Sequence, residues 1–379
     1  MKKYMSLLFT TMLLTLSMGC SDKEFYAFSL EEEKDETAIS FKVTDEEGKP
    51  IKDAYVVSFR ELPPLHIRTG EGITDINGIV KISDKTNTNK GYATVVAQGY
   101  ISKKIELSLD AGNTNEIAVQ LALQNTIKIM SYNVLEGFRS NDELKKNFAD
   151  WVKTYDPDII LFQELNKFTE SSFSTFAKTY GHDYSVLLKT TGCPTGISSK
   201  QPISDVRREL EVTKLHHGYI YGMSYGIHLY AIHLNPYEVG DDRNKYGIAR
   251  VDEMRIILED AKKQGENAPV VIGGDFNSHN KFDSDAYGPG FTYANRDHGV
   301  TNMCKEYSFS DVYPLHNKDF KGSWPCDQIS VNGTNKGARI DYIMISPAVK
   351  SKCVYSDILQ TRFNDTASDH YPNYIEIEK

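Results

Sequence analysis

Val270-Val271-Ile272-Gly273-Gly274-Asp275-Phe276-Asn277-Ser278 is the stretch that decides how the rest of the chain is read. An apolar run ends in two glycines, then delivers a carboxylate and an amide two residues apart. In an extended segment that spacing puts Asp275 and Asn277 on one face. Glycines at such a point let the backbone turn sharply and let a ligand come close. By itself the pattern also fits a plain polar strand end. Other stretches supply partners: Ser131-Tyr132-Asn133, Phe162-Gln163-Glu164, Ala231-Ile232-His233-Leu234, Arg339-Ile340-Asp341-Tyr342 and Ser368-Asp369-His370. Each sets a polar residue at the end of, or inside, an apolar β-like run.

Around these stretches the pattern alternates between strand and helix. Ile127 to Tyr132 reads as a strand. Ser140 with Glu143 has the spacing of a capping box, and Leu144, Phe148, Trp151, Val152 and Tyr155 then share one helical face. Asp156-Pro157-Asp158 stops that helix, and Ile159 to Phe162 is the next strand. Phe173, Phe176, Ala177 and Tyr180 mark a shorter helix. Tyr219 to Leu234 holds two strands broken near Gly222 to Gly226, and Ile248, Val251, Ile257, Leu258 and Ala261 mark a further helix. Residues 277–302 read as a long polar loop, followed by strands at Arg339 to Ser346 and Tyr374 to Glu378. Mixed β and α elements with polar strand ends predict a layered α/β fold.

Residues 38–122 differ. Short alternating runs at Ile39–Val43, Ala54–Phe59, Gly78–Ile82, Tyr92–Ala97 and Ile117–Leu121 are separated by turn residues such as Glu47-Gly48-Lys49-Pro50 and Asp75-Ile76-Asn77-Gly78. That spacing predicts a small antiparallel β-sandwich. Its turn motifs resemble those of the carboxypeptidase-regulatory-like sandwich, which implies a spacer or binding module. Ahead of it, residues 21–37 are polar and read as a tether. Lys2-Lys3 followed by an apolar run from Met5 to Met18 reads as a secretory leader. Gly19-Cys20 resembles a bacterial lipoprotein cleavage site over residues 1–20, although Ser17 stands where Leu is usual. The expectation is an exported protein, lipid-anchored through Cys20 at an outer membrane or cell surface. The plainer alternative is a cleaved leader with an incidental cysteine. Cys304 with Cys326 is a candidate disulfide; free buried thiols are the alternative.

The 379 residues carry a formal charge of −9, and residues 1–20, 21–122 and 123–379 contribute +2, −6 and −5. Neither large part is basic. Long-duplex binding rests on Lys and Arg neutralising phosphates, so the balance argues against it.

The ordered set Tyr132-Asn133-Val134, Gln163-Glu164, Ile232-His233-Leu234, Gly274-Asp275-Phe276-Asn277, Arg339-Ile340-Asp341-Tyr342-Ile343 and Ser368-Asp369-His370 resembles the endonuclease/exonuclease/phosphatase superfamily over residues 126–379. The resemblance implies a four-layer α/β/β/α sandwich with its site at one rim. It implies divalent-metal-dependent hydrolysis of a phosphate ester. A hard cation relieves the negative charge that shields phosphate from attack, and Mg²⁺ (or Mn²⁺) prefers carboxylates, water and substrate oxygen. By resemblance Glu164 is the main metal ligand, with Asn133 and Asp369 on or near the metal. Asp275 activates the attacking water, and Asn277 holds the water or the phosphate. His370 and His233 donate to the phosphate oxygens, and Asp341 orients His370. Each residue also has a bland reading: His233 or His228 as a core histidine, Asp341 as a partner for Arg339. His216-His217 and His279 read as loop residues.

The expected substrate is a small phosphodiester or phosphomonoester. An extracellular nuclease is the alternative enzyme, and an inactive surface-binding lipoprotein the alternative of another class. Arg243 and Lys245 near Asp241-Asp242 frame a phosphate or only begin a helix. Trp324 and Tyr293 are candidates to stack on a base or sugar. The sequence is silent on oligomeric state.

Overall fold

The computed structural model describes residues 36–379 apart from 63–64, 87, 211–213, 246, 288–297 and 327–336. The leader, Cys20, most of the tether and Tyr293 lie outside the described residues. Seven strands come first: β1 (Thr37–Thr44), β2 (Tyr55–Leu62), β3 (Leu65–Ile73), β4 (Ile79–Asp84), β5 (Lys90–Val96), β6 (Lys103–Ser108) and β7 (Thr114–Gln120). They form a three-stranded sheet, β4-β1-β7, and a four-stranded sheet, β3-β2-β5-β6. The fold is not wholly antiparallel as expected, because β1 runs parallel to β7. These are the first and last strands, so no hairpin dictates their direction. Phe41, Val43, Val56, Val80, Val95 and Val119 fill the space between the two sheets.

The inner strands of the four-stranded sheet, β2 and β5, are buried on both faces. Along β2, Val56 joins the sandwich core, while Tyr55, Val57 and Phe59 join a core of the large domain. Along β5, Ala93 and Val95 divide from Tyr92 and Val96 in the same way. Period-two alternation sends successive side chains to opposite faces, and two-sided burial makes both sets apolar.

Among the described residues the large domain has twelve strands in two six-stranded sheets. In chain order they are β8 (Thr126–Asn133), β9 (Ile159–Gln163), β10 (Tyr184–Leu187), β11 (Gly196–Ser199), β12 (Ser204–Glu209), β13 (Tyr219–Ser224), β14 (Ile227–His233), β15 (Val270–Asp275), β16 (Ser310–Asp311), β17 (Asp341–Ile345), β18 (Cys353–Ile358) and β19 (Asn373–Glu378). One sheet has the order β10-β11-β9-β8-β19-β18, the other β12-β13-β14-β15-β17-β16. Ile129, Leu161, Leu229, Val271, Ile343 and Ile375 pack between them. Helices α1 (Asp142–Tyr155) and α2 (Glu170–Lys178) cover the first sheet through Phe148, Val152, Phe173 and Phe176. Helices α3 (Arg250–Lys262) and α5 (Gly299–Glu306) cover the second through Met254, Leu258 and Cys304. Between them in sequence lies α4 (Lys281–Tyr287), so the stretch expected to be a long loop is partly helical. The result is the expected four-layer α/β/β/α sandwich.

Two local details differ from expectation. Helix α1 is capped by Asn141, whose side chain accepts from the backbone N–H groups of Glu143 and Leu144. Ser140 is instead a left-handed residue at φ 55°. Cys304 and Cys326 form no disulfide with each other, and they sit in different apolar clusters.

Gly273 and Gly274 lie inside β15, neither with a positive φ, so they do not serve a sharp turn. Their reason is space. A Cβ on Gly274 would lie 2.0 Å from the Ile232 carbonyl oxygen on β14. A Cβ on Gly273 would lie 2.6 Å from Leu161 Cδ1 and 3.3 Å from Ser131 Cβ, on the facing sheet. A backbone oxygen cannot step aside as a side chain can, so Gly274→Ala is expected to destabilise the fold by about 3 kcal/mol or more, read by urea unfolding; a loss below about 1 kcal/mol would show that β14 and β15 can separate.

At the seam between sandwich and large domain, His66 Nδ1 lies 2.9 Å from Asp319 Oδ2, and Lys104 Nζ lies 3.6 Å from Asp319 Oδ1. Burial works to raise the Asp319 carboxyl, but His66 and Lys104 outweigh it and hold it down to about 2, below its ordinary 3.8. A depressed carboxyl stabilises the folded state above the ordinary value and loses that contribution as pH falls through the lower one. Between pH 4 and pH 2 the melting temperature of the native protein should therefore fall more steeply than that of Asp319→Asn; parallel acid curves would remove Asp319 from the seam's energetics.

Candidate active site

Strand register assembles the site. His233 on β14 pairs with Asp275 on β15, and Asp275 pairs with Asp341 on β17, so three of the candidate residues stand side by side at one rim. On the facing sheet Asn133 ends β8 beside Gln163 of β9. Glu164 follows immediately. The loop after helix α8 (Asn364–Ala367) brings in Asp369 and His370; two other short helices, α6 (Tyr313–His316) and α7 (Pro347–Lys350), precede it.

Asn133 is the hub. Its Nδ2 lies 3.1 Å from Glu164 Oε1, 3.2 Å from Asp275 Oδ2 and 3.4 Å from His370 Nε2. His370 Nδ1 is hydrogen-bonded to Asp341 Oδ2 at 2.9 Å. His370 Nε2 lies 3.8 Å from Asp275 Oδ2 and 3.7 Å from Asp369 Oδ1, and His233 Nε2 lies 3.7 Å from Asp275 Oδ2. Asn133, Glu164, His233, Asp275, Asp341, Asp369 and His370 thus form one cluster. Asn277 sits beside it with a different posture from the one expected. At φ 47° it has left the strand. Its backbone N–H donates to Asp275 Oδ1 at 2.9 Å, and its side-chain amide donates to the Leu234 carbonyl at 3.1 Å.

The charges are tightly coupled. Burial lowers the His370 imidazole, but the Asp341 charge and hydrogen bond, with Asp275 and Asp369, push it up to about 10. Burial, with the Asp341 charge behind it, pushes the Asp275 carboxyl well above the usual carboxylate range. Burial and the His370 charge bring His233 down to about 3. At neutral pH His370 is an imidazolium and His233 a neutral imidazole.

Asp275, Asp341 and His370 offer ligand atoms within 4.8 Å of one another. An imidazolium whose Nδ1 is already held by Asp341 is a poor metal ligand, so the oxygens are the better donors. Asp341 Oδ1 and Asp369 Oδ1 are buried with no hydrogen-bond partner among the described residues. No lysine or arginine among the described residues forms an ion pair with Glu164, Asp275, Asp341 or Asp369. Hard oxygen donors whose negative charge a single imidazolium only partly offsets fit a hard divalent cation.

Several supporting contacts are not legible in the sequence. Ser323 Oγ donates to Asp341 Oδ2 at 2.6 Å, and Trp324 Nε1 donates to Asp369 Oδ2 at 3.2 Å. Ser368 Oγ donates to the Asn133 carbonyl and accepts the His370 N–H. His217, expected to be a plain loop residue, stacks on His233 with ring centroids 4.3 Å apart. Arg339 does not pair with Asp341; it is fully buried against Asp283 and Asp311. Arg243 pairs with Asp241 and lies over the Tyr237 ring.

The backbone after Asn133 is unusual. Leu135, Glu136, Gly137, Phe138, Arg139 and Ser140 all have φ between 38° and 66°, a left-handed turn. Such geometry costs about 1–2 kcal/mol per non-glycine residue. Tethers offset it: Glu136 N–H donates to Glu164 Oε2 at 3.0 Å, Gly137 N–H donates to the Glu164 carbonyl at 2.6 Å, and Phe138 is fully buried. A Cβ on Gly137 would lie 2.3 Å from the Asn166 carbonyl oxygen, so glycine is required there.

Comparison with known proteins agrees with this geometry. The Endonuclease/Exonuclease/phosphatase family matches residues 130–370. None of the curated proteins matches the chain by sequence. Among solved structures, an AP endonuclease from Archaeoglobus fulgidus is 18% identical, with a TM-score of 0.50, 67% of this chain covered and 100% of that one. The 3′ phosphatase NExo from Neisseria, bound to a product DNA hairpin, is 20% identical, with a TM-score of 0.52 and the same coverage. These two likenesses concern the fold. With the family matched over more than half its length, and with the rim cluster built from the ordered motifs, the chain belongs to the endonuclease/exonuclease/phosphatase family.

Proposed function

We propose that this family member hydrolyses a small phosphodiester or phosphomonoester by in-line attack of water. The observation that carries the reading is the Asp341–His370 pair facing Asp275 across Asn133. A buried carboxyl whose proton affinity is raised is a suitable acceptor for a proton from water, so Asp275 is the general base. His370, held as an imidazolium by Asp341, donates to a phosphate oxygen where charge develops. His233, neutral, donates a second hydrogen bond there. Asn277 fixes Asp275 through its backbone N–H, and the amide hydrogen not given to Leu234 holds the water or the phosphate. Glu164 and Asp369 would hold the divalent cation, Mg²⁺ or Mn²⁺, with Asn133 beside it directing its amide N–H groups at Glu164 and Asp275; the cation when bound neutralises phosphate charge. No side chain in the set needs to form a covalent intermediate.

The acidic balance of the chain supports a small substrate over long duplex. A nuclease is the second reading, favoured by the DNA hairpin bound to the Neisseria relative. Purified protein assayed on bis-p-nitrophenyl phosphate, p-nitrophenyl phosphate and plasmid DNA separates the two, and turnover of none of them would favour an inactive binding protein. Turnover should vanish with EDTA and return with Mg²⁺ or Mn²⁺; chelator-resistant activity would overturn the metal requirement. Asp275→Asn and His370→Asn should each lower kcat by about 10²–10⁴-fold with the unfolding midpoint little changed. Activity within a few fold of native in either variant would sink these roles.

We also propose that the protein is exported and anchored through Cys20, on the strength of the leader pattern. The Cys20→Ser protein should then leave the membrane fraction for the soluble one, and continued membrane partition would refute the anchor.

A further inference from the structure

We propose that the amino-terminal sandwich is a positioning element for the active-site loops rather than a spacer, an inference that rests on the function proposed above. Two separate grips carry it. On β3, Arg68 makes a bidentate ion pair with Asp365 of α8, through Nη1 to Oδ1 at 3.1 Å and through Nη2 to Oδ2. Asp365 Oδ1 also accepts from Tyr371 Oη at 2.7 Å, and Tyr371 is the neighbour of His370. Glu71, on the same strand, accepts the Arg362 backbone N–H at 2.9 Å. The sandwich therefore holds the segment that leads into Asp369 and His370, and Asp365 ties that segment in turn to Tyr371 on their far side.

The second grip is on the loop before β17. Lys321 is only 4% exposed; its Nζ lies 4.5 Å from the Phe59 ring centroid and 2.7 Å from Asp357 Oδ1. Leu65 of β3 packs on Phe320 next to it. Two residues on, Ser323 holds Asp341, and Trp324 holds Asp369. The gripped loops are also tied to each other, Tyr371 N–H to the Ser323 carbonyl at 2.8 Å and Cys326 N–H to the Asp369 carbonyl at 2.9 Å. The orientations of Asp341, Asp369 and His370 thus all trace back, within a few residues, to side chains of β2 and β3. Arg68 and Lys321 are positioning residues: they touch no member of the rim cluster and act through the loops.

Positioning and plain stability separate by comparison with another bidentate pair. Arg207 binds Asp260 through Nη1–Oδ1 at 3.0 Å and Nη2–Oδ2 at 2.7 Å, on β12 and α3, remote from both loops. In the full-length protein with saturating Mg²⁺, Arg68→Met should lower kcat by about 10- to 100-fold with KM little changed, the penalty of small misplacement. Arg68→Lys should recover part of the loss. Arg207→Met should lower the unfolding midpoint without lowering kcat. Hydrogen exchange of metal-free protein should show faster exchange in residues 361–371 for Arg68→Met only. Asp365→Asn, which keeps the side-chain shape, should reproduce the effect if Arg68→Met fails to fold. Equal kcat in the Arg68 and Arg207 variants, with unchanged exchange in residues 361–371, would overturn the proposal. If the native protein turns over none of the three substrates, the function falls, and the exchange comparison alone still decides whether the sandwich holds the loop.

Discussion

The hydrogen bond between Asn133 and Asp275 joins the two sheets at the rim, and the rest of the site depends on the sheets being close enough to make it. Two residues below it on each strand, Gly273 faces Ser131, and a methyl group there would press on Ser131 and Leu161. The missing side chain sets the local spacing of the sheets. Because β8 and β15 both end at this rim, the close approach at Ser131 and Gly273 is carried forward to Asn133 and Asp275. The glycines thus serve the chemistry from inside the core.

Gathering Glu164, Asp275, Asp341 and Asp369 is electrostatically costly. The cost is reduced by one imidazolium and shared among hydrogen-bond donors such as Ser323, Trp324 and the Asn277 backbone. It is also what gives a divalent cation its affinity, since like charges held by a rigid scaffold cannot relax apart. Beneath the site a second buried cluster, Arg339 with Asp283 and Asp311, fastens α4 and β16 to the residues that lead into β17. Its guanidinium lies 4.6 Å from the Tyr342 ring, so the strand bearing Asp341 is fixed from below as well as from the side.

Much of this was legible in the residues. Strand ends carrying Asn133, Glu164, His233, Asp275 and Asp341 stood out because an apolar run that stops on a polar residue is conspicuous. Register then did the assembly, and register is not written in any one stretch. Asn277 does not share a face with Asp275 as the period-two spacing predicts, because that argument holds only while the chain stays extended, and the strand ends at Asp275. The left-handed turn after Asn133 has a single glycine to announce it; its other residues are held there by tethers from Glu164, just past the neighbouring strand β9. His217 gave no sign, since stacking on His233 depends on a loop's path. Strands β3 and β6 lack an uninterrupted apolar alternation, and their partners hold them in place. Tyr55-Val56-Val57 and Tyr92-Ala93-Thr94-Val95-Val96 are too uniformly apolar for a sheet with one wet face.

That two-faced sheet has a practical consequence for handling the molecule. Severed at the junction near residue 122, the larger piece would lose Tyr55, Val57, Phe59, Tyr92 and Val96 from its own aromatic-rich core, and Tyr155 would lose the Tyr55 ring packed edge-on against it. The smaller piece would present Tyr55, Phe59 and Tyr92 to water. Neither fragment would be content in solution alone. The junction marks a change of topology, not a place to cut.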